Sequence, residues 1–111
     1  MYMKALDFIN KTVILKINQP LGSKHPIGNF FYPINYGYIN VDSGRKKLPA
    51  YVLGIYEPIE VFEGTCIAVL HHPKEKVDLL IITPNGKNYT DEQISALTEF
   101  QEKFFEHSII R

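Results

Sequence analysis

The chain has no surplus of charge of either sign, almost no sulfur chemistry and no long apolar run. Twelve Lys and Arg balance twelve Asp and Glu across 111 residues, so no overall field draws in DNA, RNA or an anionic membrane, and any anion binding has to be local. A single cysteine, Cys66, excludes an internal disulfide and a cysteine-clustered zinc or iron–sulfur site. Within Thr65-Cys66-Ile67-Ala68-Val69-Leu70 it reads as an inert packing thiol. No segment approaches the roughly 18 apolar residues of a membrane span, and Met1 to Lys11 has no apolar core of signal-peptide length. No internal repeat, low-complexity tract, glycine-rich phosphate loop or Ser-His-Asp arrangement in a usable context is present. These absences lead to the expectation of a cytoplasmic protein made of one domain, residues 1–111. Its 45% hydrophobic content suffices for a single core.

The regular pattern that is present is mostly that of short strands. Thr12 to Ile17 is β-branched and stops at Gln19-Pro20-Leu21-Gly22; Phe30 to Ile39 is aromatic and alternating; Ala50 to Tyr56 is apolar and ends at Glu57-Pro58. Thr65 to His71 and Val77 to Thr83 complete five runs, whose spacing indicates a small barrel or a curled antiparallel sheet. After Pro84-Asn85-Gly86, Thr90 and Gln93 form a capping box, and Asp91 and Glu92 place negative charge in the first turn of a helix. Ile94, Leu97, Phe100, Gln101 and Phe104 continue at helical spacing, predicting a helix from about Asp91 to about His107 that packs on the barrel. A shorter helical turn is expected near Met3 to Asn10.

The octet Tyr32-Pro33-Ile34-Asn35-Tyr36-Gly37-Tyr38-Ile39 resembles the signature of the soluble inorganic pyrophosphatases. Pro20-Leu21-Gly22-Ser23-Lys24-His25-Pro26, Ala50-Tyr51-Val52-Leu53-Gly54 and the run from Asn88 to Phe105 resemble the same family in the same order. The resemblance implies a five-stranded, OB-like barrel with a C-terminal helix against it, in agreement with the strand and helix pattern. It also implies magnesium-dependent hydrolysis of diphosphate to two phosphates. That chemistry needs hard cations to neutralise the substrate and to lower the pKa of the attacking water, and therefore several carboxylates converging on one cleft, ringed by lysine, arginine and tyrosine.

Carried over residue by residue, the resemblance implies Asp42 and Asp78 as catalytic metal ligands for Mg2+, and Lys24 and Tyr36 as phosphate contacts; Arg45 joins them as a substrate-binding candidate. The departures all work against a cation-collecting site. Asn18 stands where the family has an acid, Pro49 where the last loop aspartate belongs, and Leu79 where a phosphate-binding lysine follows the acidic pair that corresponds to Val77-Asp78. Ser108-Ile109 replaces a tyrosine–lysine pair after the Phe104-Phe105-Glu106-His107 run, and Arg45-Lys46-Lys47 brings cations into a loop that should collect them. The expectation is a pyrophosphatase-like protein with weak or lost activity, or a non-enzymatic module that binds a phosphorylated ligand or a protein on the same barrel. Diphosphate or another phosphorylated small molecule is the expected partner, homo-oligomerisation is open, and neither nucleic acid nor membrane is expected.

Two further signals are set aside. His71 and His72 are adjacent in a strand and point to opposite faces, which argues against a shared metal ion. The aromatic series Phe30, Phe31, Tyr32, Tyr36 and Tyr38 lacks the basic groove of a base-stacking platform.

Overall fold

The computed structural model describes residues 4–41 and 44–111. Six strands and one α-helix follow a short 3-10 turn at Ala5–Phe8: β1 (Thr12–Gln19), β2 (Asn35–Val41), β3 (Lys46–Val52), β4 (Val61–His72), β5 (Val77–Thr83), α1 (Asp91–Glu102) and β6 (Ser108–Ile110). The strand order is β1-β2-β3-β5-β4, and β1 pairs again with β4, so five strands close into a barrel. All pairings are antiparallel except that of β3 with β5. Closure joins Thr12 to Lys16 of β1 to Val61 to Thr65 of β4 and leaves the end of β4 as an edge. β6 lies outside it, paired with the last residues of β4.

Alternation along the strands divides the apolar residues into two sets. Leu15 of β1, Ile39 of β2, Ala50 and Val52 of β3, and Leu80 and Ile82 of β5 fill the interior, and Ala5 and Phe8 of the 3-10 turn belong to the same cluster. Tyr51 of β3, Leu53 just after it, and Leu79 and Ile81 of β5 point outward and pack with Ile94 of α1. The two sets occupy opposite faces of the same strands. Burial of each large aliphatic side chain contributes about 1.5–3 kcal/mol, largely offset by the chain entropy lost on folding.

Two irregularities in the strands decide which side chains reach the outer face. β1 slips register against β2 between Ile17 and Gln19, close to where Gly37 crosses it. A Cβ on Gly37 would collide with the Lys16 carbonyl and the Ile17 Cα, so only glycine permits this approach. β4 carries a second slip between Cys66 and Ala68. Cys66 before it and Val69 after it both face the interior, because the extra residue reverses the alternation. As a result Ala68 and Leu70 join the outer set, and His72, on their parity, is turned toward α1.

The capping box forms: the Gln93 N–H donates to Thr90 Oγ1 at 3.1 Å, and the Thr90 N–H to Gln93 Oε1 at 2.9 Å. The helix is shorter than its sequence pattern predicts, ending at Glu102 and not near His107. Ser108-Ile109-Ile110 is β-prone and pairs with Val69 to His71, so the chain leaves the helix early to reach that edge. The aromatic run beginning at Phe30 enters the sheet only at Asn35. Before that, residues 22–32 form a small hairpin closed by backbone bonds between Gly22 and Tyr32, Ser23 and Tyr32, and His25 and Phe30. No helix among the described residues is long and apolar enough to cross a membrane.

Candidate functional site

Between the outer face of the barrel, the 22–32 hairpin and the end of α1 lies a cavity of about 530 Å3. Tyr36 of β2, Pro49 of β3, His72 of β4, and Val77 and Leu79 of β5 supply its barrel side. His25 and Phe30 come from the hairpin, and Gln101, Glu102, Phe104 and Phe105 from the end of the helix and beyond. It follows that Tyr36, Pro49, Val77 and Leu79, four positions drawn into one cleft by the sequence resemblance, do share one cleft. Three of the four are apolar.

Three polar residues of the cleft, His72, Gln101 and Glu102, belong to one hydrogen-bond network with Tyr51 and Tyr32. Glu102, only 1% exposed, receives a short hydrogen bond from His72 Nε2 on Oε1 and the Tyr51 hydroxyl on Oε2 at 2.7 Å. The Tyr51 oxygen in turn accepts from Gln101 Nε2 at 2.6 Å, and Gln101 Oε1 accepts from the Tyr32 hydroxyl at 3.2 Å. A buried carboxylate would be costly without such donors. Phe105 stacks on the His72 ring at 5.3 Å between centroids. Burial raises the Tyr51 phenol well above its usual range, reinforced by the Glu102 charge and hydrogen bond. Tyr36 is pushed up to about 12, first by burial and then by Tyr32 and Glu102. Both phenols therefore keep their protons, and Tyr51 acts as a neutral donor to Glu102.

The sequence candidates scatter. Asp42 lies outside the described residues. Asp78 is on β5, but its parity is that of Leu80 and Ile82, opposite to Val77 and Leu79. It sits 2.6 Å from His71 Nδ1 and lines a groove with Lys47 and Lys76, at the end of the barrel nearest the 3-10 turn, that adjoins the cleft at Pro49 and Val77. Asn18 occupies a third recess with Tyr36, Tyr38, Lys47 and Pro49, where the Lys47 ammonium lies 4.5 Å from the centre of the Tyr38 ring. Lys24 is exposed on the hairpin, paired through its backbone with Phe31, and Arg45 is exposed in the turn between β2 and β3. Neither lines the cleft.

Magnesium has a poor fit to this donor set. Among the described residues no three His, Cys, Asp or Glu side chains converge as a metal site. The cleft positions that the resemblance assigns to oxygen donors hold Pro49 and Val77, and hard cations want oxygen.

Sequence reasoning identifies Tyr36, Pro49 and Leu79 but passes over Glu102 and gives His72 no site role. The signal for Glu102 is nonetheless present: Ile94, Thr98 and Glu102 recur every four residues and form the buried stripe of α1, so a carboxylate there requires a buried partner. Asn35 of the octet, fully buried, has a structural task. It accepts from the Leu21 N–H at 2.9 Å and donates to the Glu57 carbonyl at 2.9 Å, tying two loops to β2.

A closed five-stranded barrel with parallel β3–β5 pairing and a helix packed outside belongs to the OB-like class. In comparison with solved structures, the chain resembles the inorganic pyrophosphatase from Ehrlichia chaffeensis, with a TM-score of 0.66 and 12% identity over 90% of this chain and 85% of that one. At that identity the likeness shows a pyrophosphatase-like fold. No protein-family model and no curated protein matches the sequence.

Proposed function

We propose that this chain is a ligand-binding protein on a pyrophosphatase-like barrel in which magnesium-dependent hydrolysis of diphosphate is lost or strongly reduced. One observation carries the reading: Tyr36 opens on a cleft whose other strand positions include Pro49, Val77 and Leu79, where metal ligands and a phosphate-binding lysine would be needed. Without them neither the diphosphate charge nor the charge developing on the leaving phosphate is neutralised. Contaminant-free protein supplied with magnesium and diphosphate should release phosphate at a rate close to the uncatalysed background. Rapid, magnesium-dependent turnover would overturn the reading.

A phosphate-ligand reading draws support from the recess of Asn18, Tyr36, Tyr38 and Lys47, which adjoins the cleft at Tyr36 and Pro49. There Lys47 offers an ammonium beside two phenols, donors suited to a phosphoryl oxygen. Calorimetric titration of diphosphate into chelated protein, with Lys47→Ala as control, tests it: binding abolished by the substitution supports the recess, and no binding rejects it.

A further inference from the structure

The 530 Å3 cleft has the size of a small-molecule site and the wrong charge for phosphate. Its lining includes the carboxylates of Glu75 and Glu102 and contains no lysine or arginine. Its walls carry the aromatic rings of Phe30, Tyr36, Phe104 and Phe105. Ring faces are electron-rich, so they attract cations and do nothing to hold an anion.

His72 stands at the Glu102 end of the cleft, its Nε2 within hydrogen-bond distance of Glu102 Oε1, and its Nδ1 has no hydrogen-bond partner among the described residues although the residue lines the cleft. The Glu75 carboxylate lines the same cleft. A positively charged ligand complements these carboxyl groups.

We propose, resting on the ligand-binding reading above, that this cleft binds a small organic amine in its protonated form. The apolar part lies against Phe104, Phe105 and Leu79, and the ammonium is directed to the His72–Glu102 end. The pyrophosphatase-like barrel thereby has the ligand preference of its cleft reversed, from a polyanion to an organic cation.

Three probes of matched shape separate charge from mere apolar fit: phenethylamine, phenethyl alcohol and hydrocinnamate, each titrated calorimetrically into the intact chain without metal. The amine should bind, the alcohol should bind about tenfold more weakly, and the carboxylate should give no measurable heat. Nuclear Overhauser contacts from the amine's ring to Phe104 and Phe105 should place it in the cleft. Glu75→Gln, an exposed substitution, should weaken the amine about threefold and leave the alcohol unchanged. Equal affinity for amine and alcohol, tighter binding of the carboxylate, ring contacts elsewhere, or no amine binding would each overturn the proposal. The phosphate-release assay is independent of these readouts. Rapid hydrolysis refutes the loss of activity, whereas absent amine binding in an inactive protein refutes only the choice of ligand.

Discussion

The inner and outer faces of β3 and β5 are built from alternate residues of the same two segments, yet they solve opposite problems. Inward, Ala50, Val52, Leu80 and Ile82 meet side chains from the other strands in an apolar cluster with no charged member. Outward, Pro49, Tyr51, Leu79 and Ile81 meet a helix that brings a buried carboxylate, Glu102, and leaves a large cavity beside it. Any apolar group of the right volume serves the inner face. On the outer face each polar atom needs its partner, and what fills the cavity is free to differ from one protein to another.

Neighbouring leucines give the strongest test of this contrast. Leu80 is fully buried among interior side chains, whereas Leu79, 3% exposed, borders the cavity. Leu80→Ala should cost about 2–5 kcal/mol, because the hole it leaves is enclosed and the barrel cannot collapse around it. Leu79→Ala should fall at the low end of that range, about 2 kcal/mol, since it enlarges a space that already exists. Urea unfolding of both variants measures the difference. Equal losses would mean that the outer face is packed as tightly as the inner one.

Much of the barrel is legible in the sequence because closure depends on local pattern. The run Val77 to Thr83 coincides with β5 at both ends, since Leu79 to Ile82 is an unbroken apolar stretch between polar signals. Thr12 to Ile17 falls two residues short of β1, for Asn18 and Gln19 extend the strand through a register slip that no side-chain alternation announces. β3 starts at Lys46 because backbone pairing with β2 continues past Leu48, although Lys46 and Lys47 are exposed. The slip in β4 is equally invisible, and it decides that His72, and not His71, reaches the helix. For the site, the sequence marks which charges are missing from the cleft. It does not mark what replaces them, because the His72–Glu102–Tyr51 network joins residues 30 and 51 positions apart.

The tyrosines sharpen the comparison at alkaline pH. Tyr36 is raised from its usual value of 10 to about 12, mainly by burial, and Tyr51 is raised as well by burial and by Glu102. An unfolded chain sheds these protons near pH 10, while the folded one holds them, so the unfolded state binds fewer protons in this interval and stability falls as pH rises. The contribution is fully present below pH 10 and is lost progressively between about 10 and 12 for Tyr36. Melting temperature should therefore fall through that window, with phenolate absorbance from the two residues appearing together with unfolding. Ionisation of both in a chain that remains folded would show that the outer face is open to solvent.

The smallest effect is expected where the two faces meet solvent, at His71 and Asp78. Their side chains are 42% and 35% exposed, in contrast to the enclosed His72–Glu102 pair one residue along β4. Solvent screens a polar contact this exposed, and the side-chain order it demands offsets part of the attraction, so Asp78→Asn should cost only about 0.2–1 kcal/mol. The same substitution also bears on chemistry. On the opposite parity from Val77 and Leu79, Asp78 has no route into the cleft without a shift of β5. Whatever residual phosphate release the protein has should be unchanged by Asp78→Asn, measured with magnesium at saturating diphosphate. A loss of that release at unaltered stability would return Asp78 to the catalytic role that the sequence resemblance gives it, and would move the reactive site from the cleft to the lysine-lined groove at the barrel's end.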